Sequence, residues 1–108
     1  MDAYQIDTIE AQRVAANRRY QEFLRVPALS AGLYVLAAGS EDLQKPHSED
    51  EVYYVVAGQA HIRVANEEQP VGPGSIIYVA RNVEHRFFAI TTDLHVLVFF
   101  APAEYSAS

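Results

Sequence analysis

Cysteine is absent from the 108 residues, so disulfide bonds, iron–sulfur clusters, thiolate metal ligands and thiol catalysis are excluded. No stretch approaches the roughly 20 consecutive apolar residues that span a bilayer, so we expect no association with a membrane. Residues 1–12 contain no basic region followed by an apolar run, and we therefore expect no signal peptide and a cytoplasmic location. The length favours a single domain over residues 1–108, because two domains would each be too small to bury a useful core.

Basic residues are scarce, with 8 of them against 14 acidic residues and a formal net charge of −6. Nucleic acids and anionic membrane surfaces repel an acidic protein, so we expect no nucleic-acid partner. The charges are uneven, because positions 41–51 hold five acids and Lys45 is their only basic neighbour. Such a run is either a solvated loop or a set of placed functional carboxylates, and both interpretations remain open at this point.

Residues 1–27 are predicted to form an N-terminal helical segment. Asp7 and Glu10 have the spacing of a capping box, and apolar residues recur at helical intervals as far as Leu24. Pro27 would end the helix, because proline lacks an amide donor and the residue before it disfavours helical geometry.

After Pro27 the apolar period changes from helical to two, which predicts short antiparallel strands. Turn signals separate them, among them residues 58–59, 66–70 and 91–93. We therefore predict an all-β fold, an antiparallel β-barrel or jelly roll over residues 28–102, followed by a C-terminal tail over 103–108. The predicted strands cover residues 33–37, 52–56, 60–64, 75–79, 85–90 and 94–100.

Three of these predicted strands, 52–56, 85–90 and 94–100, are apolar on both faces. The strands of an antiparallel sheet with one solvent-exposed face should instead alternate between apolar and polar residues. A chain this small has little other material to cover the second face. A second copy of the chain is the simplest cover, so we expect a homodimer that uses the outward residues of the strand at 52–56 or the strand at 94–100, with the N-terminal helix as a further candidate.

One stretch, Gly39 to Gly58, carries chemically informative residues at regular spacing. Gly39 is followed by five residues, then Lys45, one residue, His47, three residues, Glu51, six residues and Gly58. This resembles the first cupin motif, G-x5-H-x-H-x3-E-x6-G, with Lys45 in place of the first histidine.

A second stretch, residues 74–89, resembles the second cupin motif, G-x5-P-x-G-x2-H-x3-N. Gly74 and His85 match that motif, while alanine, asparagine and alanine replace its Pro, Gly and Asn. Both motifs occur in the family's order, so the chain resembles a small single-domain cupin. The resemblance implies a conserved barrel and, as candidate activities, those of dioxygenases, isomerases, epimerases and decarboxylases.

The spacing also makes sense from strand geometry alone. Residues four apart in an extended chain point to the same side, so His47 and Glu51 can share the inward face of a strand. His85 would begin a second inward row. Two imidazoles and a carboxylate on adjacent strands suit one divalent transition metal, whether Fe, Mn, Ni, Cu or Zn. We therefore predict His47, Glu51 and His85 as metal ligands, with Gln44 as a candidate weak fourth ligand.

Lys45 has two interpretations. A protonated ammonium about 4 Å from a dication would be repelled by roughly 8 kcal/mol at an effective dielectric of ~20. Lys45 therefore either turns outward and leaves a three-residue site open to water, which we favour, or pairs with Glu51 in a barrel without metal. The walls of the pocket are predicted to include Lys45, Tyr53, Val55, Tyr78, Phe87 and Phe99. For Tyr53 and Phe87 we favour a role in the core over contact with a substrate.

Three classes of function follow from these residues. The first is a metal-dependent enzyme, dioxygenase-like or isomerase-like, that acts on a small molecule. The second is a module that binds a small molecule without chemistry, and the third is a metal-free structural barrel. Fold does not decide among them. His61 and His95 lie outside the motifs, and we expect them to be surface or hydrogen-bonded residues.

Overall fold

The computed structural model describes residues 1–106, which form one helix followed by six β-strands. All strand pairs are antiparallel, in the order β1-β2-β6-β3-β4, and β5 pairs with β3. The predicted all-β antiparallel fold with a short N-terminal helix is confirmed. No helix among the described residues is long and apolar enough to cross a membrane. The elements are α1 Ile6–Ala15, β1 Tyr20–Val26, β2 Leu29–Leu36, β3 Asp50–Val64, β4 Glu67–Val71, β5 Ile76–Val79 and β6 His85–Ala101.

The N-terminal helix is shorter than predicted. It ends at Ala15, because Asn17 takes a left-handed conformation (φ 53°) and its amide donates to the carbonyl of Val14. The helical prediction for residues 16–27 is wrong, and most of that stretch forms β1, which pairs with β2. The capping box does not form either, since the helix starts after Gln5 without a side-chain cap.

Two long bent strands form the framework of the fold. Sequence patterns predicted four separate strands at 52–56, 60–64, 85–90 and 94–100, whereas β3 and β6 each run through the expected turns. Register shifts between Val55 and His61 mark the place where the β3–β6 ladder bends. The predicted turn at 66–70 is wrong in the same way, because residues 67–71 form β4 against the end of β3.

Side chains on alternate positions of the bent strands meet inside the barrel. Tyr53, Val55, Leu94 and Val96 are fully buried there, which is the period-two pattern that the sequence predicts. A smaller cluster lies outside the barrel, where α1 covers part of the sheet. Its buried members are Ile9, Leu33 and Val35.

Nothing within residues 1–106 covers one outward face of the sheet. Tyr78 of β5 lies beside Val52 of β3, and Ile76 lies beside Tyr54 in the same register. Ile76 is 69% exposed and Tyr78 is 60% exposed, although both are large apolar side chains. The helix α1 packs against β1 and β2 instead, so it does not shield this face.

Gly58 lies where β3 bends, and we expect it to be indispensable for the fold. Its φ is +98°, and a Cβ there would lie 2.3 Å from the carbonyl oxygen of Asp93. Gly58→Ala should therefore lower the free energy of unfolding by about 3 kcal/mol or more. Gly39→Ala is the matched control, because Gly39 also has positive φ (+77°) but open space around it. We expect it to cost about 1–2 kcal/mol. Urea unfolding of both variants provides the measurement, and equal losses would contradict the close approach.

Candidate metal centre

The predicted ligands come from three different parts of the chain. His47 lies in the loop before β3, Glu51 is the second residue of β3, and His85 is the first residue of β6. Glu51 points inward because its neighbour Val52 faces out, and the next inward position is the buried Tyr53. His85 points inward for the same reason, since the following Arg86 is exposed.

The barrel brings these three side chains together. One ligand atom from each of His47, Glu51 and His85 lies within 4.8 Å of the others. Both rings face the same carboxylate oxygen: His85 Nε2 is 2.9 Å from Glu51 Oε1, and His47 Nδ1 is 3.4 Å from it. The three side chains are at most 9% exposed.

The tautomer of His85 shows why this cluster needs a cation or an extra proton. Its Nδ1 lies 2.9 Å from the carbonyl oxygen of Val83, which can only accept, so Nδ1 must carry the hydrogen. In the neutral ring, Nε2 then presents a lone pair to the Glu51 carboxylate. Two hydrogen-bond acceptors, Nε2 and Glu51 Oε1, face each other with no hydrogen between them. Both Glu51 oxygens, His85 Nε2 and His47 Nδ1 are buried without a hydrogen-bond partner. A divalent metal would satisfy all of them, so the donor set fits such an ion.

A fourth ionisable residue, Glu104, also belongs to this site, and the sequence analysis missed it. Its Oε2 lies 3.0 Å from His47 Nε2, and its side chain is 10% exposed. Glu104 follows β6 in the C-terminal tail, where no motif or period marks it. Only the position of the tail against the barrel reveals its role, so no signal in the sequence could have found it.

The charges of the cluster shift the pKa values of its members in the metal-free protein. Burial alone would lower the pKa of His47, but the Glu104 and Glu51 carboxylates outweigh it and raise the pKa to about 9. Burial alone would raise the pKa of Glu51, but His47 and His85 outweigh it and lower the pKa to about 2. The Glu51 carboxylate also raises the pKa of His85 against the opposing effect of burial. Without metal, the cluster is therefore stabilised by protonation of its imidazoles.

Lys45 and Gln44 do not enter the cluster. Lys45 is exposed, so its side chain lies on the solvent side of the loop. No ion pair among residues 1–106 includes Lys45, and the alternative Lys45–Glu51 pair does not form. The Gln44 amide is held by two neighbours: its nitrogen donates to Asp42, and its oxygen accepts a hydrogen bond from Tyr53. Gln44 is therefore engaged in a hydrogen-bond network beside the three ligands.

The acidic segment is not simply a solvated loop. Glu49 and Asp42 are buried, with exposures of 1% and 8%. Asp42 accepts hydrogen bonds from the Tyr34 hydroxyl and the Phe87 amide, which ties the loop to the barrel wall. The Glu49 carboxylate accepts one from the Tyr105 amide in the tail. These two acids hold the elements that surround the centre.

Two cavities share the loop residues Gln44, Lys45 and Pro46 in their linings. The first, about 560 Å³, is lined by His47 and Glu104 together with aromatic side chains. The second, about 480 Å³, is lined by His85 and by charged residues, among them Arg63 and Arg86. Lys45 lines both cavities.

The pocket prediction is wrong for Tyr78 and Phe99. Both occupy outward positions of their strands: Tyr78 is 60% exposed, and the inward neighbours of Phe99 are Val98 and Phe100. Those two neighbours line the first cavity instead. The prediction placed these two residues on the wrong face of their strands. Side chains alternate between the two faces, so an error of one residue moves a side chain from the inner to the outer face. The other predicted wall residues lie in the barrel core: Tyr53, Val55 and Phe87.

The two remaining histidines lie away from the centre. His61 is exposed and its ring contacts Phe88. His95 Nδ1 lies 3.7 Å from a carboxylate oxygen of Glu10 in α1. Both positions agree with the expectation of surface or polar-paired residues.

Comparisons with known proteins identify the class. The cupin-domain family model matches residues 32–100, and the chain belongs to this family. It is 49% identical over 104 residues to an uncharacterized protein of Streptomyces coelicolor, and the match covers 96% of this chain and 99% of that protein.

Solved structures support the same fold. The structure of TT1209 from Thermus thermophilus matches with a TM-score of 0.74 and 22% identity, over 95% of this chain and 99% of that one. An RmlC-like cupin with a double-stranded β-helix fold from Methanocaldococcus jannaschii matches with a TM-score of 0.69 and 19% identity, over 77% and 78% of the two chains. At this identity they establish the fold alone, and the fold is the double-stranded β-helix of cupins.

The raised pKa of His47 predicts a pH dependence of the metal-free protein. The pKa of His47 is about 9 in the folded protein and 6.5 ordinarily, so protonation of this ring stabilises the folded state. That contribution to the free energy of unfolding is complete below about pH 6.5 and is lost as the pH rises through 9. We expect the melting temperature of chelator-treated protein to fall across that window. NMR titration of the His47 ring should give the matching midpoint. A midpoint near 6.5 would show that the two carboxylates do not act on His47.

Proposed function

We propose that this cupin holds one divalent transition metal between His47, Glu51 and His85 and uses it to act on a small molecule. The observation that carries the proposal is the convergence of both imidazoles on one buried carboxylate oxygen, with the two facing nitrogens and both Glu51 oxygens buried without a hydrogen-bond partner. A neutral histidine pair and a carboxylate form a ligand set that first-row metals accept, whether Fe, Mn, Ni, Cu or Zn.

The ion would supply Lewis acidity or oxygen activation, while the chain supplies position and a dry environment. Three protein ligands leave coordination positions open, because the place of a fourth family ligand is taken by the outward Lys45. The hydrogen bond from His85 Nδ1 to Val83 aims that ring at the centre. Tyr53 and Phe87 are buried beside His85 and keep water from its inner side.

The cavities set the class of molecule that we propose as a ligand. The aromatic side chains Tyr20, Tyr34 and Phe100 line the first cavity, which favours an apolar body. The second cavity is lined by Lys45 and Arg86 and also by the acids Asp42 and Glu84, and neither of these two basic residues belongs to an ion pair among residues 1–106. A small molecule with an apolar part and an anionic group fits this division.

A metal-free barrel is the second candidate, and one specific observation favours it. A protonated His47 between the Glu51 and Glu104 carboxylates is electrostatically satisfied without any ion. In that case the cluster would be a buried ion network, and the barrel would bind its ligand without chemistry. Metal content separates the two candidates.

The test is metal binding by the untagged protein and by ligand variants. We expect close to one equivalent of metal per chain, measured by elemental analysis after dialysis against a mixture of divalent ions. His85→Ala, His47→Ala and Glu51→Ala should each lose most of it, because a site with three ligands tolerates no missing member. Far-ultraviolet circular dichroism should show that the variants still fold, since most of the core lies elsewhere.

Lys45 provides a gain-of-function control for the same experiment. Lys45→His should tighten metal binding by tenfold or more, because it removes a cation and adds a ligand at the family's first histidine position. Lys45→Gln removes the charge alone and should give a smaller gain. If wild type binds no metal and Lys45→His does not acquire it, the metal-free barrel is the correct interpretation.

We propose further that a second copy of the chain covers the open face of β3 and β5. Ile76, Tyr78 and Tyr54 are exposed there in one contiguous register. Light scattering at micromolar concentration should give twice the 12.0 kDa mass of one chain. Ile76→Ser with Tyr78→Ser should shift the protein to monomer, whereas Val26→Ser, an exposed site on β1, should not. A monomeric wild type would contradict this assembly.

A further inference from the structure

We infer that Glu104 is a positioning residue of the metal centre, which fixes the ring of His47 so that Nδ1 faces the metal. This rests on the proposed metal site and adds a residue from the C-terminal tail to it. Glu104 lies outside both cupin-like motifs and beyond the residues that the family model matches.

The tail holds Glu104 in place through its backbone. The Glu104 amide donates to the hydroxyl of the fully buried Ser30, and the Glu104 carbonyl accepts from the Arg25 guanidinium. On either side, the Ala103 amide donates to the Pro27 carbonyl and the Tyr105 amide donates to Glu49. With its backbone fixed at so many points, the Glu104 side chain reaches the centre along a defined path.

The two nitrogens of His47 then have separate partners. Nε2 lies 3.0 Å from Glu104 Oε2, while Nδ1 lies 3.4 Å from Glu51 Oε1. A carboxylate can only accept, so Glu104 keeps the hydrogen on Nε2 and leaves the Nδ1 lone pair directed at Glu51. The Val83 carbonyl does the same for His85 from the opposite nitrogen. Each ring is therefore held by one partner and presents its other nitrogen to the centre.

Glu104 acts from outside the ligand set. The ligand atoms of His47, Glu51 and His85 lie within 4.8 Å of one another, and no oxygen of Glu104 completes that group. Its contact is with the far side of the His47 ring, where it lines the first cavity. This arrangement is a carboxylate–histidine–metal relay, in which the carboxylate orients the ring and increases its basicity.

The experiment uses the 108-residue chain, ¹⁵N-labelled at histidine and loaded with zinc. Long-range ¹H–¹⁵N correlation should show His47 bound to zinc through Nδ1 and still protonated at Nε2. Glu104→Ala should weaken zinc binding 10–100-fold in competition with a chromogenic chelator. Glu104→Gln keeps an acceptor for the Nε2 hydrogen, so it should retain the Nδ1 coordination and lose only a fewfold in affinity. Glu67→Ala, an exposed acid on β4, is the matched control and should bind zinc like wild type.

The outcomes separate this inference from the proposed function. Zinc bound through Nε2 of His47 in wild type, or an unchanged zinc affinity in Glu104→Ala, would overturn the role of Glu104 while leaving the metal site intact. Equal losses in the Gln and Ala variants would overturn it as well, because the acceptor would then be irrelevant. Absence of zinc binding in wild type would reject the proposed site itself, and this inference with it.

Discussion

The structure of this centre depends on one buried carboxylate. Glu51 is 1% exposed, and an ionised carboxylate in such a place needs positive charge or strong hydrogen bonds close by. His47 and His85 approach the same oxygen from different parts of the chain, and their rings offer lone pairs there once their other nitrogens are engaged. A metal ion or protonated imidazoles can satisfy that oxygen. The fold therefore has to bring these groups together from three parts of the chain.

Bending of the two long strands meets that need. In the β3–β6 ladder, Glu51 pairs with Phe100 and His85 pairs with Val64. Along a flat strand the stretch from Glu51 to Val64 would span roughly 43 Å at about 3.3 Å per residue. The bend at Gly58 and the closure of the barrel bring His85, the partner of Val64, back to Glu51. His85 Nε2 and Glu51 Oε1 are then 2.9 Å apart. The stability of the fold and the assembly of the cluster are thus coupled at Gly58, because its conformation permits the bend.

The loop with Lys45 and the C-terminal tail both border the cluster of His47, Glu51 and His85, and they contribute to it differently. Lys45 turns away to solvent and leaves one side of the cluster without a protein ligand. The tail instead inserts Glu104 beside His47, which adds negative charge near a set of ligands that would hold a dication. An acidic residue there attracts a bound dication, and the solvent-exposed ammonium of Lys45 adds little repulsion because water screens it. The departure from the family motif and the acid in the tail are therefore consistent with each other.

The sequence by itself determined the class of fold and the three central residues. Period-two patterns and turn residues record local preferences and burial, and the motif spacing marks His47, Glu51 and His85 because strand parity and order suffice to place them on inward rows. The sequence could not show that residues 20–26 form a strand, since YQEFLRV satisfies helical and extended patterns alike and the partner β2 decides between them. Strand parity of Tyr78 and Phe99, the tautomers of the two histidines and the arrival of Glu104 all depend on contacts between distant segments. Only the tertiary structure decides these, because hydrogen bonds and charges act through distances in space that no local pattern of residues encodes.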